Sequence, residues 1–320
     1  MQTRNSYEMM VAKYIVLIYL VIGRNIGIAD GAPLRPDYNT GKDAEVSYPD
    51  WMSNLHDDMS LADLSIPGTH HTMTFDGHGG PLAQCQSWTL NTQLAAGIRF
   101  LDIRCRHFYD VLTIHNGVYY QHVTIMGVLH TVTTFLEDHL HEVVLMRVKK
   151  EHTEYGNRSM EDLFREAIGQ FHSKFFWTTN SMPNLGEARG KIVILDDFAD
   201  GRVGVKYSDA EIADNWEVPA LLPIELDAKW KSVRNNVNKA SEDRSNRMFL
   251  TYTSGSSNRV FAYAVADRIN SKLFEFINSN PGKKKLGTVV MDFPGGILVE
   301  KIILSNNFLT HDNKTLDQIM

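Results

Sequence analysis

The sequence predicts an α/β protein built on a mostly parallel sheet, and three observations carry that expectation. Short apolar runs alternate with helix-length amphipathic stretches over residues 61–305. Several runs, Val143-Val144-Leu145-Met146 and Ile192-Val193-Ile194-Leu195 among them, are apolar at every position, as strands are when helices cover both faces of a sheet. No repeat or low-complexity tract breaks the pattern, which argues against a solenoid or a disordered array. Composition fits one globular body, with 43% apolar and 22% charged residues, and α/β barrels commonly reach this size as a single unit. Alternation alone does not separate a closed barrel from an open doubly wound sheet.

Taken in order, the chain opens on Arg4 and Lys13 ahead of the apolar run Tyr14-Ile15-Val16-Leu17-Ile18-Tyr19-Leu20-Val21-Ile22, with the small residues Ala29, Gly31 and Ala32 after it. Such a run is too short to span a bilayer comfortably. Residues 1–32 therefore read as a cleaved secretory signal and leader, residues 33–320 as the barrel body, and the protein as secreted. A Pro-, Asp-, Gly- and Asn-rich lead-in over 32–49 precedes the first core element at 61–66. Strands are then expected at 98–103, 111–115, 143–148, 192–195, 248–252 and 288–292. Helices are expected at 129–140, 160–171, 226–240 and 261–278. Secretion would let Asn157-Arg158-Ser159 and Asn313-Lys314-Thr315 carry glycans and would let Cys85 pair with Cys105. Two cysteines can equally be small buried residues, so pairing stays open.

Three side chains from separate elements stand out for their chemistry. His70 follows Ile66-Pro67-Gly68-Thr69, where a sharp turn would present the imidazole; Arg104 ends Phe100-Leu101-Asp102-Ile103-Arg104; His115 lies in Ile114-His115-Asn116-Gly117. Two imidazoles can divide the work of base and acid near neutral pH, and a guanidinium holds a phosphate through two parallel N–H···O bonds. That trio suits metal-free cleavage of a phosphodiester. Asp102 and Arg104, two apart on a strand, face one side while Ile103 and Cys105 face the other. His107, His122, His130, His139 and His141 lack metal-ligand spacing, and no Cys-rich or His-Glu-x-x-His pattern occurs, so no metal or other cofactor is expected. A net charge of −6 argues against broad nucleic-acid binding.

The ordered anchors Ser65-Ile66-Pro67-Gly68-Thr69-His70, Asp102-Ile103-Arg104, His115-Asn116-Gly117, Val148-Lys149-Lys150-Glu151, Gly186-Glu187-Ala188-Arg189-Gly190-Lys191-Ile192-Val193 and Met291-Asp292-Phe293 resemble the X-type catalytic domain of phosphatidylinositol-specific phospholipase C. The similarity is to the small, calcium-independent bacterial type. It implies a single distorted or incomplete TIM (β/α) barrel with its site at the carboxyl ends of the strands. It also implies roles. His70 would be the general base, His115 the general acid, and Asp292 the carboxylate that orients the base. Arg104 would grip the phosphate where calcium-dependent relatives use a metal. Lys149 would lie near phosphate and inositol, and Asp102 would hold the neighbourhood of Arg104.

Two positions depart from the family pattern. His71 stands where a carboxylate usually follows the first histidine, so another acid such as Asp76 would have to fill in. Asp197 stands where bacterial relatives place an inositol-binding arginine, although a carboxylate can still accept hydrogen bonds from a polyol. The resemblance also puts Trp88 near a short rim helix that touches membrane, with Phe261 on the opposite rim. The implied partner is a phospholipid substrate at a membrane surface, and a monomer is expected. The implied activity is a phospholipase C-type cleavage by attack of the inositol 2-hydroxyl, giving diacylglycerol and inositol 1,2-cyclic phosphate. Alternatives are a phosphodiesterase for another headgroup, or a secreted phospholipid-binding protein that has lost turnover, which His71 invites.

Overall fold

In the computed structural model, which describes residues 35–308, the elements trade places along the chain as the alternation predicts. The strands are β1 (Ile66–Thr69), β2 (Phe100–Phe108), β3 (Val111–Asn116), β4 (Tyr119–Thr124), β5 (Val143–Lys150), β6 (Phe176–Trp177), β7 (Lys191–Asp197), β8 (Val205–Lys206), β9 (Glu211–Ala213), β10 (Phe249–Tyr252) and β11 (Thr288–Met291). The α-helices are α1 (Leu90–Ala96), α2 (Ile125–Asp138), α3 (Met160–Gly169), α4 (Leu185–Ala188), α5 (Pro223–Glu242), α6 (Ala262–Ser279) and α7 (Gly296–Leu304). The expected leader at 1–32 lies outside the described residues. Among the described ones, no helix is long and apolar enough to cross a membrane.

One sheet runs β6-β7-β5-β2-β1-β11-β10-β9, parallel throughout, with β8 on the far half of the β7 edge and the antiparallel pair β3–β4 extending from β2. Its two ends do not hydrogen-bond, so the ring is not closed. It is nevertheless rolled. Laid flat at roughly 4.8 Å per strand, β5 and β10 would stand about 19 Å apart, yet Arg147 on β5 donates from Nη1 to the hydroxyl of Tyr252 on β10 at 3.0 Å. The expected incomplete barrel is therefore the architecture observed. The central strands are buried along nearly their whole length, which is why they read as unbroken apolar runs.

Local chemistry explains the joints. Gly68, expected in a sharp turn, lies inside β1, where a Cβ would come within 2.7 Å of the Phe100 Cβ; it allows β1 and β2 to approach closely. The bend falls three residues later, where His71 adopts φ +42°. Gly97 closes α1 at φ +107°, the left-handed cap that glycine supplies without strain. At the amino ends of the strands, Arg99 donates from Nε to Glu142 at 2.8 Å, with both side chains fully buried. The remaining guanidinium hydrogens reach the carbonyls of Leu94, Ile98, Tyr48 and Pro49, and the other Glu142 oxygen accepts the Met52 N–H. This saturated buried pair ties the lead-in to the barrel floor, far from the carboxyl ends.

Candidate active site

β1 and β11 run side by side with Thr69 opposite Met291, so the next residue of each, His70 and Asp292, emerges together at the carboxyl ends. His70 Nδ1 and Asp292 Oδ1 are 2.8 Å apart; the carboxylate is fully buried and the imidazole 15% exposed. Backbone ties fix the pair. The Gln86 amide donates to the carbonyls of His70 (2.7 Å) and Met291 (2.9 Å), and Asn270 donates to the carbonyl of Asp292 at 2.9 Å. With Nδ1 turned to the carboxylate, Nε2 is the nitrogen left for proton transfer, the same orienting logic as the base of a catalytic triad.

Next to this pair the strand register builds a charged floor. Asp102 lies level with Arg147, and Arg104 with Lys149, across the parallel β2–β5 pairing, while Lys149 lies level with Asp197 across β5–β7. The alternation of side chains puts all five on one face. Buried Asp102 is the hub: its Oδ2 accepts from Arg104 Nε (3.2 Å), Arg104 Nη2 (3.0 Å) and the His71 N–H (3.3 Å), and its Oδ1 from Arg147 Nη1 (3.3 Å). Burial alone would raise the Asp102 pKa; Arg104 and Arg147 reverse that and hold the carboxyl well below the usual range. Arg104 Nη1 also lies 3.8 Å from Glu151.

His115 reaches the same neighbourhood on an antiparallel strand, not at a parallel strand end as expected. Cys105 pairs with Ile114, and the same register carried one residue on sets His115 opposite Arg104. Its ring stacks on Tyr120 at 5.4 Å between centroids, and its Nδ1 is buried without a hydrogen-bond partner among the described residues. Burial, then the nearby Arg106 charge, lowers its pKa below the ordinary imidazole value, which makes the protonated form a stronger acid.

The phosphatidylinositol-specific phospholipase C X-domain family model matches residues 64–197. The 1-phosphatidylinositol phosphodiesterase of Listeria monocytogenes is 32% identical over 285 residues, covering 82% of this chain and 86% of that protein. The Staphylococcus aureus enzyme of the same name is 28% identical over 276 residues, covering 77% of this chain and 88% of its own length. The solved phosphatidylinositol-specific phospholipase C from Listeria monocytogenes superposes with a TM-score of 0.72 at 30% identity, over 82% of this chain and all of that one. The chain belongs to the phosphatidylinositol-specific phospholipase C family.

Within this phospholipase C the two departures find different outcomes. His71 is buried with its ring edge against His70, 4.6 Å between centroids. Burial first, then the Arg104 and His70 charges, pushes its pKa well down, so it stays neutral and cannot stand in for a carboxylate. Asp76, the suggested substitute, is exposed and faces His78 at 3.5 Å; Asp102 and Glu151 supply the negative charge beside Arg104 instead. Asp197 takes Arg147 Nε and Nη2 on a single oxygen, at 3.0 and 2.6 Å, so it is paired with a guanidinium from the neighbouring strand. Sequence reading missed Arg147, whose signal was its place two residues before Lys149 on the same face. Lys149 itself is half-buried, and burial followed by the Arg104 and Arg147 charges lowers its pKa. Asp214, directly after β9, has a buried unpartnered Oδ1. Lys229 is buried, donates to the Asn215 carbonyl at 2.9 Å and is pushed by burial to a pKa of about 8.

The rim differs from expectation. Trp88 is 1% exposed, a core residue on the Leu90–Ala96 side of the barrel, and cannot touch a membrane. Phe261 is half-buried and stacks on Tyr263 at 5.5 Å. Exposed apolar bulk lies instead where the chain leaves the carboxyl end of β9: Trp216 (55%), Leu221, Leu222 (56%) and Ile224 (74%). Cys85 and Cys105 are both free, buried thiols. Asn157 is exposed in a bend, and Asn313 lies outside the described residues.

Proposed function

We propose that the protein cleaves phosphatidylinositol, or a glycosylated form of it, by intramolecular attack of the inositol 2-hydroxyl on phosphorus. The products are diacylglycerol and inositol 1,2-cyclic phosphate, and the cyclic ester is hydrolysed more slowly in a second step. The single observation that carries this is the His70–Asp292 pair at 2.8 Å beside a guanidinium fixed by a buried carboxylate. His70 Nε2 takes the hydroxyl proton, and Asp292 stabilises the imidazolium that results. Arg104 neutralises charge on the non-bridging oxygens, with half-buried Lys149 as the second cation on that face. His115 protonates the departing glycerol oxygen. In the second step the histidines exchange roles, as microscopic reversibility requires. Lys149 and the free oxygen of Asp197 offer contacts to ring hydroxyls.

Two finer points belong to the same proposal: residues 1–32 act as a cleaved secretory signal delivering the protein outside the cell, and the loop at 215–222 together with the first turn of α5 seats the mouth on the lipid surface. The deciding experiment incubates purified protein with phosphatidylinositol vesicles, with and without chelator, and follows phosphorus by NMR. A cyclic phosphodiester that accumulates and then decays, unaffected by chelator, is expected. Turnover confined to other diesters, or binding without product, overturns the proposal.

A further inference from the structure

The region behind the base holds a third donor that the cleavage reaction leaves unused. One nitrogen of His70, the Cys85 sulfur and a carboxylate oxygen of Asp292 all lie within 4.8 Å of one another. The ring nitrogen that faces Asp292 is Nδ1, at 2.8 Å. A second observation concerns the carboxylate: Asp292 Oδ2 is fully buried and has no hydrogen-bond partner among the described residues. A buried carboxylate oxygen with unspent lone pairs is costly unless something positive meets it. The cluster is also built and not accidental. The Phe293 N–H, next to Asp292, donates to the Cys85 carbonyl at 3.0 Å, and the Gln86 amide spans the carbonyls of His70 and Met291. The Cys85 N–H is held by the Thr74 carbonyl and hydroxyl, each at 3.2 Å.

We propose that His70, Cys85 and Asp292 form an inhibitory site for a thiophilic divalent cation of the Zn2+ class, one that switches the base off. Nitrogen, thiolate and carboxylate are the donor set that zinc prefers over calcium or magnesium. Tetrahedral zinc, with bonds of about 2.0 to 2.3 Å, wants donors about 3.3 to 3.7 Å apart, so the His70–Asp292 pair, now at 2.8 Å, must open slightly to admit the ion between them and Cys85. The partly open His70 edge leaves the fourth position to water or a substrate oxygen. The Cys85 thiol gives its proton to solvent and binds as thiolate; the Nδ1 proton of His70 moves to Nε2 as Nδ1 takes the metal; Asp292 contributes one carboxylate oxygen. A proton fixed on Nε2 removes the lone pair that would accept the inositol hydroxyl proton. The reaction needs no metal, and this metal would stop it.

The inference uses the His70 role proposed above, so its test reads binding as well as turnover. Zn2+ is titrated into the whole protein by calorimetry in two buffers of different ionisation enthalpy, and Co2+ is titrated while thiolate-to-cobalt charge-transfer absorption is followed. Phosphatidylinositol cleavage is measured in parallel. One equivalent of Zn2+ should bind with release of about one proton, Co2+ should give the thiolate band, and cleavage should fall roughly tenfold or more and recover with chelator. Cys85→Ser and Cys85→Ala should cleave like the parent without metal, lose the cobalt band, and bind and respond to Zn2+ at least tenfold more weakly. Melting curves confirm that both variants fold. Zn2+ that binds or inhibits the parent and the Cys85 variants alike, or a parent that binds no Zn2+, overturns the proposal. If the protein cleaves no phosphatidylinositol, the calorimetry and cobalt absorption still decide this site independently.

Discussion

His70 can act as a base only while its proton sits on Nδ1, and a single acceptor 2.8 Å away enforces that. Asp292→Asn keeps the shape but offers an amide that can donate, which allows the proton to settle on Nε2 instead. Cleavage of phosphatidylinositol should then fall about 10²- to 10⁴-fold in kcat, with KM changed only a few-fold. Steady-state kinetics on vesicles check this; a kcat within threefold of the parent would remove Asp292 from the mechanism. Much of this residue-level logic was legible in the chain, because each of His70, Arg104, His115 and Asp292 sits in a short motif of its own. Arg147 was not legible. Its importance comes from three carboxylate and hydroxyl partners on β2, β7 and β10, and only the rolled sheet brings those together.

At the scale of elements, the alternation of apolar runs located the central strands to within a few residues, since strands buried on both faces leave no polar position to blur the pattern. Within the β3–β4 hairpin β3 was expected, whereas β4 and α7 escaped notice for opposite reasons. The exposed hairpin carries Tyr119, Tyr120 and His122 in place of a clean apolar face, while Gly296–Leu304 is apolar nearly all round and so lacks a period. The rim was misread because aromatic character alone cannot separate core from interface: Trp88 is core, whereas Trp216 is exposed. The loop that carries Trp216 is braced by hydrogen bonds from Val218 to Ser256 (3.0 Å) and from Ser256 to Trp216 (2.9 Å), which tie the loops after β9 and β10 together. Exposed apolar residues on a braced loop at the mouth can enter lipid without unfolding anything. Leu222→Ser combined with Ile224→Ser should weaken binding to phosphatidylinositol-containing vesicles roughly tenfold or more, at about 1.5 to 3 kcal/mol per fully inserted side chain. Melting should shift little, because neither residue is buried. Vesicle co-sedimentation makes the comparison, and unchanged partitioning would place the membrane contact elsewhere.

The whole molecule must keep an unclosed ring rolled without a complete circle of backbone hydrogen bonds. Its free edges are blunted by brevity, two residues in β6 and three in β9, which limits pairing with other chains. Side chains span the interior instead. Arg147 Nη1 reaches the Tyr252 hydroxyl at 3.0 Å, that hydroxyl meets the Tyr207 hydroxyl at 2.8 Å, and the guanidinium lies 4.1 Å over the Tyr207 ring. The three are almost fully buried and link β5, β10 and the segment after β8. One hydroxyl therefore joins both sides of the opening and positions the arginine that steadies Asp102 and Asp197. Tyr252→Phe deletes that joint, stranding a buried guanidinium hydrogen and a second hydroxyl, and should cost about 1 to 3 kcal/mol. Tyr207→Phe removes one partner and leaves the Arg147 contact, so its cost should be smaller. Urea denaturation with an unchanged slope measures both, and kcat should fall for Tyr252→Phe beyond what its stability loss explains, because the floor under Arg104 loosens. If the two variants unfold at the parent's midpoint and keep its turnover, the barrel is held by its backbone pairing and core alone.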